Sequence, residues 1–423
     1  MRLLLYEDLH HEGLSPVALM RPVFDLICGR ECLVRRVQRW FPTAAVSVCV
    51  RPWLEAVYRE EHPLFAVNPR FQEASEPALF INGRWLPERR LQPEDISFQN
   101  AGFIDGDLAW IALQPMEIQE LNPEQISGQL FHVASSRRIV EATGRMVRHP
   151  WDLINHNGSQ LIRDFADEGV SQTPQSNLVQ ILGDERDVYI SPRADVDPFV
   201  VIDARSGPVS VDQGASIQSF TRIEGPCHVA RGASVFRALI RHGTTIGENC
   251  RVGGEVEESI LHADVNKYHE GFLGHSYVCP WVNLGAITTT SDLKNDYSTV
   301  RVPLTGTPIE SGTIKVGSFI GDHSKTAIDS MFNTGSSIGV MTMVLPGGRL
   351  LPRHIPSFCN VSFGELATDW PLDAGIETAR TVLHRRGRTL TAAAEDLLRF
   401  LYQHTASERQ TALDRAIQNR LQR

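Results

Sequence analysis

The sequence predicts two folds in one chain: an α/β domain first, then a parallel β-helix built from hexapeptide repeats. Two observations support this prediction. Apolar stretches with strand-like and helix-like periodicity alternate up to about residue 170, which indicates a mainly parallel sheet with crossover helices. From about residue 190 to 355 the helical periodicity gives way to a six-residue period, which is typical of a parallel β-helix.

The α/β part shows its elements in alternation. The predicted strands are "RLLLYED", "AAVSVCV" and "PALFING", and the predicted helices are "PVFDLICGRECLVRRVQRWF" and "PWLEAVYREE". Parallel sheets of this kind bind ligands at the carboxyl ends of their strands. We therefore expect residues 1–170 to form one domain, followed by a linker over residues 171–190.

The six-residue period occurs in four separate runs, which makes chance improbable. One aliphatic side chain in six points inward, and small residues recur at the corners between them. The predicted inward positions are Val211, Ile217, Ile223, Val229 and Val235; Ile240, Ile246 and Val252; Phe272, Val278, Leu284 and Thr290; and Ile314, Ile320, Thr326, Phe332, Ile338, Val344 and Leu350.

Two segments depart from the repeat. The stretch "SDLKNDYSTVRVPLTGTPIESG" has no six-residue period, and it is predicted to be a loop excursion that reaches a neighbouring subunit or covers a site. Residues 356–423 contain a long run of helix formers, which predicts a helical cap over the open end of the 191–355 β-helix.

Composition excludes several classes of protein. Charged residues make up 22% of the chain and the formal net charge is −9, so no nucleic-acid partner is expected. Apolar runs are too short to span a bilayer, and the N-terminus has no signal-peptide core. The seven cysteines form no CxxC pair, which indicates reduced thiols and a cytoplasmic location.

Eight stretches spread over about 350 residues resemble a known family. They are "RPVFDLICGR", "LFINGRWLP", "HPWDLINHNG", "GPCHVARGASV", "GENCRVGGEVEESI", "NKYHEGFLGHSYVCPWVNLGA", "SDLKNDY" and "IGDHSKTAID". The chain resembles the bifunctional N-acetylglucosamine-1-phosphate uridyltransferase/glucosamine-1-phosphate acetyltransferases, and more closely the divergent GlmU-like sugar nucleotidyltransferases. The resemblance implies a nucleotidyltransferase-like N-terminal domain, a left-handed β-helix, and a homotrimer with acyl-CoA sites between adjacent β-helices.

For acyl transfer, the resemblance implies a general base and oxyanion donors. The family's H-x-x-Y-L-G motif matches "HEGFLG", so His269 is the expected base. Asn283 matches an asparagine that lines the family's site, and backbone N–H groups near Gly285 and Ala286 are the expected donors. His275, six residues after His269, is a second catalytic candidate.

Three departures from the family pattern bear on the acceptor. Phe272 has no hydroxyl where the family has tyrosine, and Asp292 stands where the family has a second asparagine. In place of a phosphate-binding lysine the chain has Glu255, Glu257 and Glu258. Because like charges at close range are costly, we expect an acceptor other than glucosamine-1-phosphate.

Other polar residues of the repeats could complete an acyl-CoA site. Asp322 and His323 follow an inward position, where a carboxylate could orient an imidazole. Lys325, Arg349 and Arg353 could meet the phosphates of acetyl-CoA, although surface solvation explains each of these three alone.

A zinc site is a minor alternative. Hexapeptide β-helices include zinc enzymes that resemble γ-class carbonic anhydrases, with three histidines at a subunit interface. The chain offers His242, His262, His269 and His275. Residues six apart lie on adjacent faces of a coil, so His269 and His275 could share a metal only across a trimer interface.

The nucleotidyltransferase half lacks its family's phosphate loop. The glycine-rich loop and the lysine are absent, so Arg21 is the expected substitute cation, and Asn82-Gly83 replaces the metal-binding Gly-Asp. Asp105, Asp107 and Asp152 are the candidate Mg²⁺ ligands. For the first two, solvated turn residues are an alternative interpretation.

Together these features predict a cytoplasmic homotrimeric transferase of nucleotide-sugar or cell-envelope metabolism. Acetyl-CoA is the expected acyl donor, and a sugar phosphate or nucleotide sugar is the expected small-molecule partner. Neither a nucleic acid nor a membrane is expected as a partner. The rival hypothesis is a non-catalytic, ligand-binding or regulatory trimer whose two sites have degenerated.

Overall fold

The computed structural model describes residues 2–92, 94–168 and 178–422. These residues form two compact units. The first comprises the chain up to Ile27 together with Glu31–His149, and the second comprises Cys28–Arg30 together with the chain from Pro150 onward. The predicted linker over 171–190 lies in part outside the described residues.

The first unit and its borders contain eleven short strands and four α-helices among the described residues. The strands are β1 Arg2–Tyr6, β2 Ile27–Cys28, β3 Glu31–Cys32, β4 Val46–Cys49, β5 Ala66–Val67, β6 Ala78–Asn82, β7 Trp85–Leu86, β8 Asn100–Ile104, β9 Asp107–Leu113, β10 Arg138–Glu141 and β11 Arg145–Met146. The helices are α1 Leu33–Trp40, α2 Glu55–Glu61, α3 Pro115–Gln119 and α4 Ile126–Ser135.

Seven of these strands form the central sheet of the first unit, in the order β10-β8-β9-β6-β1-β4-β5. β1 is parallel to both β4 and β6, while β9 is antiparallel to its two neighbours. The α/β prediction is therefore confirmed, with β9 inserted against the parallel direction. The predicted strands at β1, β4 and β6 are all present because each is a mainly apolar run that is almost entirely buried, as in the interior of a parallel sheet.

The long predicted helix over residues 22–41 is wrong in its first half. Only α1, from Leu33, is α-helical, and Val23–Asp25 form a single 3₁₀ turn. Gly29 has a φ of +85°, a conformation that an α-helix does not tolerate and that glycine adopts without strain. Apolar spacing alone could not reveal this break.

The second unit begins with helix α5, Pro150–Glu168, and continues as a long series of short strands. These are β12 Gln180–Leu182, β13 Val188–Ile190, β14 Asp195–Val196, β15 Val201–Asp203, β16 Val209–Val211, β17 Ser216–Ile217, β18 Arg222–Glu224, β19 Cys227–Val229, β20 Ser234–Ile240, β21 Thr244–Ile246, β22 Arg251–Glu257, β23 Ile260–Leu261, β24 Asn266–Lys267, β25 Phe272–Gly274, β26 Tyr277–Val278, β27 Thr289–Thr290, β28 Arg301–Leu304, β29 Thr307–Glu310, β30 Ser318–Ile320, β31 Lys325–Thr326, β32 Met331–Phe332, β33 Ser336–Ile338, β34 Met343–Val344, β35 His354–Ile355, β36 Cys359–Ser362 and β37 Glu365–Asp369. Three helices follow: α6 Leu372–His384, α7 Ala392–His404 and α8 Ala406–Leu421.

The strands of the second unit stack as the coils of a parallel β-helix. One face is a nine-stranded ladder in the order β13-β16-β19-β21-β23-β26-β30-β33-β35. In this ladder Val211 pairs with Val229, and Val229 pairs with Ile246. Each partner is about three hexapeptides further along, which is one turn of the coil. The predicted β-helix is therefore confirmed.

Most predicted inward positions lie in the core of the β-helix. Val211, Ile223 and Ile246 are fully buried there. Three predictions are wrong: Ile314 and Leu350 are about half exposed, and Phe272 is replaced in the core by its neighbour Leu273. The register shifts by one residue because Val256, an inward residue of the previous coil, pairs with Leu273.

Helix α5 packs on the β-helix, although the sequence places it in the first domain. Asn157 of this helix donates hydrogen bonds to the Gly243 carbonyl at 2.8 Å and to Thr245 Oγ1 at 3.0 Å. The ring of Trp151 packs against that of Phe319, with the centroids 6.2 Å apart. The contacts thus divide the chain at His149 rather than at residue 170.

The β-helix sheet continues into the segment predicted as a helical cap. β36 extends the parallel ladder beyond residue 355, and β37 turns back antiparallel to it. Ala412, Leu413 and Ala416 of α8 then pack against the core of the β-helix. Among the described residues, no helix combines the length and hydropathy that a membrane crossing requires.

Candidate functional site

A buried imidazole occupies the centre of a polar cluster on the β-helix. His275 follows β25 in a left-handed turn with φ +46°, and its side chain is only 6% exposed. Nδ1 lies 2.8 Å from Asp292 Oδ2, and Nε2 lies 3.0 Å from Glu258 Oε2. Both ring nitrogens therefore face carboxylates, an arrangement that requires two N–H donors and hence an imidazolium.

The charge state of His275 follows from these contacts. Burial disfavours the cation, but the hydrogen bonds and charges of Asp292 and Glu258 outweigh it and raise the pKa of His275 to about 9. The hydrogen bond to His275 in turn lowers the pKa of Glu258, against the effect of burial. At neutral pH His275 is therefore a fixed positive charge rather than a general base.

A second histidine shares the same carboxylate. Nε2 of His242 lies 3.0 Å from Glu258 Oε1, and the His242 side chain is 48% exposed. The four residues form the chain His242–Glu258–His275–Asp292. A carboxylate that fixes one ring nitrogen of an exposed histidine leaves the other nitrogen available to exchange a proton.

The acidic stretch "GGEVEES" is partly neutralised by cations from other coils. Glu257 pairs with Arg241 at 3.2 Å and with Lys315 at 3.6 Å. Arg241 also lies 3.6 Å from Glu255. Arg241, between β20 and β21, and Lys315, just after the excursion, therefore supply counter-charges that reduce the expected repulsion of a phosphate.

The excursion contributes directly to this site. Leu293 and Lys315 form an antiparallel bridge that closes its base, next to Asp292. Above this base, β28 and β29 form an antiparallel hairpin, whose Val302 and Leu304 are buried. The predicted loop is therefore a structured hairpin that holds Asp292 and Lys315 at the site.

Gly274 provides the space in which two side chains meet. A Cβ at this position would lie 2.4 Å from Phe272 Cζ and 2.6 Å from Asp292 Oδ2. The structure thus brings Phe272, His275 and Asp292 together, as three of the predicted site residues. The Phe272 ring lies beside Gly274 and is not part of the core of the β-helix.

The predicted base His269 forms no ion pair with this cluster among the described residues. It is exposed, and its ring packs edge-on against Tyr268 with the centroids 4.9 Å apart. Its backbone carbonyl accepts a hydrogen bond of 3.1 Å from Lys267 Nζ. Lys267 is itself buried, and this burial lowers its pKa to about 8.

Asn283 and Lys325 lie on another face of the coils. Asn283 Oδ1 accepts a hydrogen bond from Asn266 at 2.6 Å, and its backbone bridges to Lys325. Burial lowers the pKa of Lys325 to about 8, and its Nζ donates to the carbonyls of Trp281 and His323. These contacts give Lys325 a role in joining coils.

The predicted oxyanion donor at Gly285 is already occupied. Its N–H donates to Thr326 Oγ1 at 2.9 Å and to the Thr326 carbonyl at 3.1 Å. Ala286, in contrast, contributes its carbonyl to the Asp329 N–H. A Cβ at Gly285 would lie 2.6 Å from the Ala327 backbone, so this glycine permits close approach of two coils.

The remaining predicted acyl-CoA residues are mostly engaged within the chain. Asp322 and His323 are both buried, and the His323 ring stacks on Trp281 with the centroids 6.3 Å apart. Arg349 pairs with Glu365 at 2.9 Å. Arg353 donates to the backbone carbonyl of Thr334 at 3.0 Å, which fixes it to the coil.

In the first unit, an ion pair occupies the expected nucleotide site. Asn82 donates to Asp8 Oδ2 at 2.8 Å, and Arg84, whose side chain is fully buried, pairs with the same carboxylate. Burial opposes ionisation of Asp8, but Arg84 lowers its pKa. Gly83 packs so closely that a Cβ would lie 2.8 Å from Val23 Cγ2. Asn82 and Gly83 therefore shape a buried salt bridge at the carboxyl ends of β1 and β6.

The predicted cation and metal ligands of the nucleotidyltransferase half form no group that could hold a metal ion among the described residues. Arg21 donates to the Val17 carbonyl at 3.2 Å. Asp105 is exposed in the β8–β9 turn at φ +49°, and Asp107 pairs with Arg148 at 3.0 Å. Asp152 belongs to the first turn of α5, in the second unit. This set does not fit a Mg²⁺ ion.

The three-histidine zinc site is not formed within the described residues. The group there that could hold a metal ion is His242, Glu257 and Glu258, whose ligand atoms lie within 4.8 Å of one another. It contains one histidine, and Arg241, Lys315 and the charged His275 already pair with its carboxylates. The group therefore resembles a salt-bridge network more than the zinc ligand set predicted from His242, His262, His269 and His275.

Sequence reasoning missed His242, Arg241 and Lys315 as partners of this cluster. His242 was considered only as a metal ligand, and the six-residue period does not show which side chains stack across coils. One signal was available: His242 and Glu258 lie about one coil apart, so a full-coil spacing between titratable residues could have paired them.

The described residues combine an α/β unit and a hexapeptide β-helix in one chain, which is the combination expected from the resemblance drawn from the sequence. Residues 3–168 match the model of a family described as sugar nucleotidyl transferase, which confirms the resemblance drawn from the sequence for that part of the chain.

Two curated relatives are similar to parts of this chain. The chain is 33% identical over 144 residues to a bifunctional sugar-1-phosphate nucleotidylyltransferase/acetyltransferase of Sulfurisphaera tokodaii, covering 33% of this chain and 36% of the relative. It is 36% identical over 107 residues to a bifunctional protein GlmU of a Jannaschia species, covering 25% and 23%. The chain thus matches only about a quarter to a third of the length of these relatives.

Solved structures also show similarity to this chain. An Arabidopsis UDP-N-acetylglucosamine acyltransferase has 12% identity and a TM-score of 0.23, covering 55% of this chain and 95% of that one. The acetyltransferase domain of PglB from Neisseria gonorrhoeae, solved with acetyl coenzyme A, has 12% identity and a TM-score of 0.18, covering 87% and 98%.

Proposed function

We propose that the β-helix is an acyl-CoA-dependent N-acyltransferase that acts on an amino sugar, as a phosphate or a nucleotide sugar, within a homotrimer. The observation that supports this most is the His242–Glu258–His275–Asp292 chain on a hexapeptide β-helix. The relative from Sulfurisphaera tokodaii, which is named as a nucleotidylyltransferase/acetyltransferase, supports the same class of reaction. Acetyl-CoA is the proposed donor.

In this proposal the charged cluster positions the acceptor. The exposed edge of Glu258 attracts an ammonium group, while His275 fixes the geometry of both flanking carboxylates. Transfer then requires loss of the ammonium proton, attack of the free amine on the thioester carbonyl, and departure of the CoA thiolate. As the amide forms, its nitrogen loses a second proton and the thiolate takes up one, so the net products are the amide, the CoA thiol and one proton released to solvent.

We propose His269 as the base that removes the ammonium proton. Its ring is exposed, and among the described residues it has no hydrogen-bond partner for either ring nitrogen. His275 does not fit this role because it is already protonated at neutral pH. His242 is the competing candidate, since Glu258 orients its ring.

A CoA-release assay over a panel of amino sugars tests this proposal. His269→Ala should lower kcat by about 10²-fold or more, whereas His384→Ala, an exposed histidine on α6, should leave it unchanged. If His242→Gln abolishes turnover and His269→Ala does not, the base is His242. If no amino sugar releases CoA and no acyl-CoA binds in calorimetry, the acyltransferase proposal is wrong and the non-catalytic trimer is favoured.

We also propose that the first unit transfers a nucleotidyl group to a sugar phosphate, on the strength of the family match over residues 3–168. Arg21 is the proposed cation for the nucleoside triphosphate. Pyrophosphate release from a sugar-1-phosphate and a nucleoside triphosphate, measured with and without Mg²⁺, tests it. Arg21→Gln should reduce the rate, and Arg89→Gln, an exposed matched change, should not. Absence of release with every nucleotide would contradict this proposal.

A further inference from the structure

A pocket separate from the His275 cluster collects three arginines. Arg386 and Arg388 come from the loop between α6 and α7, and Arg251 begins β22. Gly232, Ser234, Asn249 and Asp264 complete the lining of a cavity of about 200 Å³. A polar cavity with three guanidinium groups and one carboxylate attracts an anion.

One arginine and the carboxylate already satisfy each other. Arg388 pairs with Asp264 at 3.1 Å, and its guanidinium lies over the Trp281 ring at 5.3 Å. Asn249 also donates a side-chain hydrogen bond to Asp264. Asp264 is therefore fully engaged, and Arg388 is held at one edge of the pocket.

The other two arginines keep their positive charge available. Arg386 donates only a long bond of 3.4 Å to the Asn249 carbonyl. Neither Arg386 nor Arg251 has an ion-pair partner among the described residues. Burial, and then the neighbouring charge of Arg251, lower the pKa of Arg386. Two like charges are thus held close together, a cost that a bound anion would remove.

The backbone is shaped to hold these groups. Gly387, between the two loop arginines, has a φ of +68°, a conformation that costs glycine little and that directs both neighbours into one pocket. Gly232 lies so near Asn249 that a Cβ there would be 2.7 Å from Oδ1. Ser234 pairs with Arg251 across adjacent strands, which places a hydroxyl beside the guanidinium.

We propose that this arginine pocket binds a phosphate group of a small phosphorylated metabolite. Guanidinium groups pair with phosphate oxygens in a bidentate manner, and a seryl hydroxyl and asparagine amide add hydrogen bonds. The pocket is small, and the chain as a whole carries a net charge of −9, so a nucleic-acid backbone does not fit. The phosphate could come from coenzyme A or from a sugar diphosphate.

Calorimetry of the full chain with pyrophosphate tests the pocket at low ionic strength. Loss of a charged hydrogen bond should weaken binding by about 10-fold or more in Arg386→Gln and in Arg251→Gln. Arg385→Gln, an exposed change in the same loop, is the matched control and should bind as the wild type does. Unchanged binding in both pocket variants, or no binding by the wild type, would overturn the proposal.

Competition against pyrophosphate identifies the source of the phosphate. Coenzyme A competing better than its 3′-dephospho form assigns the coenzyme's 3′-phosphate, and a uridine diphosphate sugar competing better than uridine assigns a sugar diphosphate. If none of these compounds competes, the pocket does not serve a phosphorylated metabolite. Because binding is measured without turnover, failure here leaves the proposed transferase activities untouched.

Discussion

At the scale of single residues, His275 differs most from its predicted role. The sequence marked it as a catalytic candidate, but two carboxylates enclose it and hold it protonated. Its function is therefore to position Glu258 and Asp292, which would otherwise repel each other. The contribution of a buried charge to stability depends strongly on its partners. Removing the charge of His275 leaves two carboxylates without a compensating cation.

Stability should depend on pH through His275. Because its pKa is raised from 6.5 to about 9, the stabilisation is fully present below pH 6.5 and is lost as the pH rises through 9. The shift corresponds to about 3 kcal/mol. Thermal unfolding of the wild type between pH 6 and pH 9.5 should show this loss, and His275→Gln should flatten it. Equal pH dependence in both proteins would contradict this charge state.

Gly274→Ala should disturb the same cluster without removing any charge. The new Cβ must displace the Phe272 ring or the Asp292 carboxylate, so the hydrogen bond from His275 Nδ1 weakens. We expect the pKa of His275 to fall, measured by histidine NMR titration. Gly128→Ala is a suitable control, because a Cβ at that glycine meets nothing within 4 Å. An unshifted His275 in Gly274→Ala would show that Asp292 does not control it.

The buried pair in the first unit should be costly to break. Arg84→Ala leaves the carboxylate of Asp8 buried beside Asn82 without its main partner. A loss of about 3–5 kcal/mol in unfolding free energy is expected, measured by chemical denaturation. Arg89→Ala breaks the exposed pair with Asp95 and should cost under about 1 kcal/mol. Similar costs for the two variants would mean that burial of Arg84 is unimportant.

Only part of the polar cluster could be predicted from sequence. Phe272, His275 and Asp292 were singled out, and they do meet. Their partners were not paired with them, because Glu258 and His242 lie about one and two coils before His275, and Lys315 follows the far end of the excursion. Contacts across coils depend on exact register, and a one-residue slip such as that at Leu273 changes which side chains stack.

At the scale of elements, the hexapeptide rungs were predictable because every coil packs its interior in the same way. Each turn needs an aliphatic side chain inside and a small residue at the corner, so the six-residue period survives in the sequence. The helix predicted over 22–41 failed for the opposite reason. That prediction rested on apolar spacing alone. The turn at Gly29 interrupts the helix, but it leaves the apolar spacing in the sequence unchanged.

Two isoleucines six residues apart test this account. Both fit the repeat, but Ile320 is fully buried and Ile314 is 47% exposed. Ile320→Ala should cost about 2–5 kcal/mol because it leaves a cavity in the core, whereas Ile314→Ala should cost under about 0.5 kcal/mol. Denaturant midpoints of the two variants give the comparison. A large effect of Ile314→Ala on the denaturant midpoint would show that Ile314 belongs to the core after all.

At the scale of the whole molecule, a homotrimer remains a prediction. Phe199 and Phe220 are exposed on the β-helix, and their rings stack with centroids 6.0 Å apart. Exposed stacked aromatics of this kind are typical of an interface. Analytical ultracentrifugation should give three times the mass of the chain, and Phe220→Asp should shift the equilibrium toward smaller species. A monomeric wild type at micromolar concentration would contradict the prediction.

The excursion hairpin shows that two strands of the β-helix can stack on each other although a long segment of chain separates them in sequence. β26 pairs with β30 although the whole segment from Cys279 to Gly317 lies between them in sequence. New sequence can therefore enter between two rungs while the ladder on either side keeps its register. The β28–β29 turn is accordingly a suitable insertion site for a foreign peptide or a reporter domain.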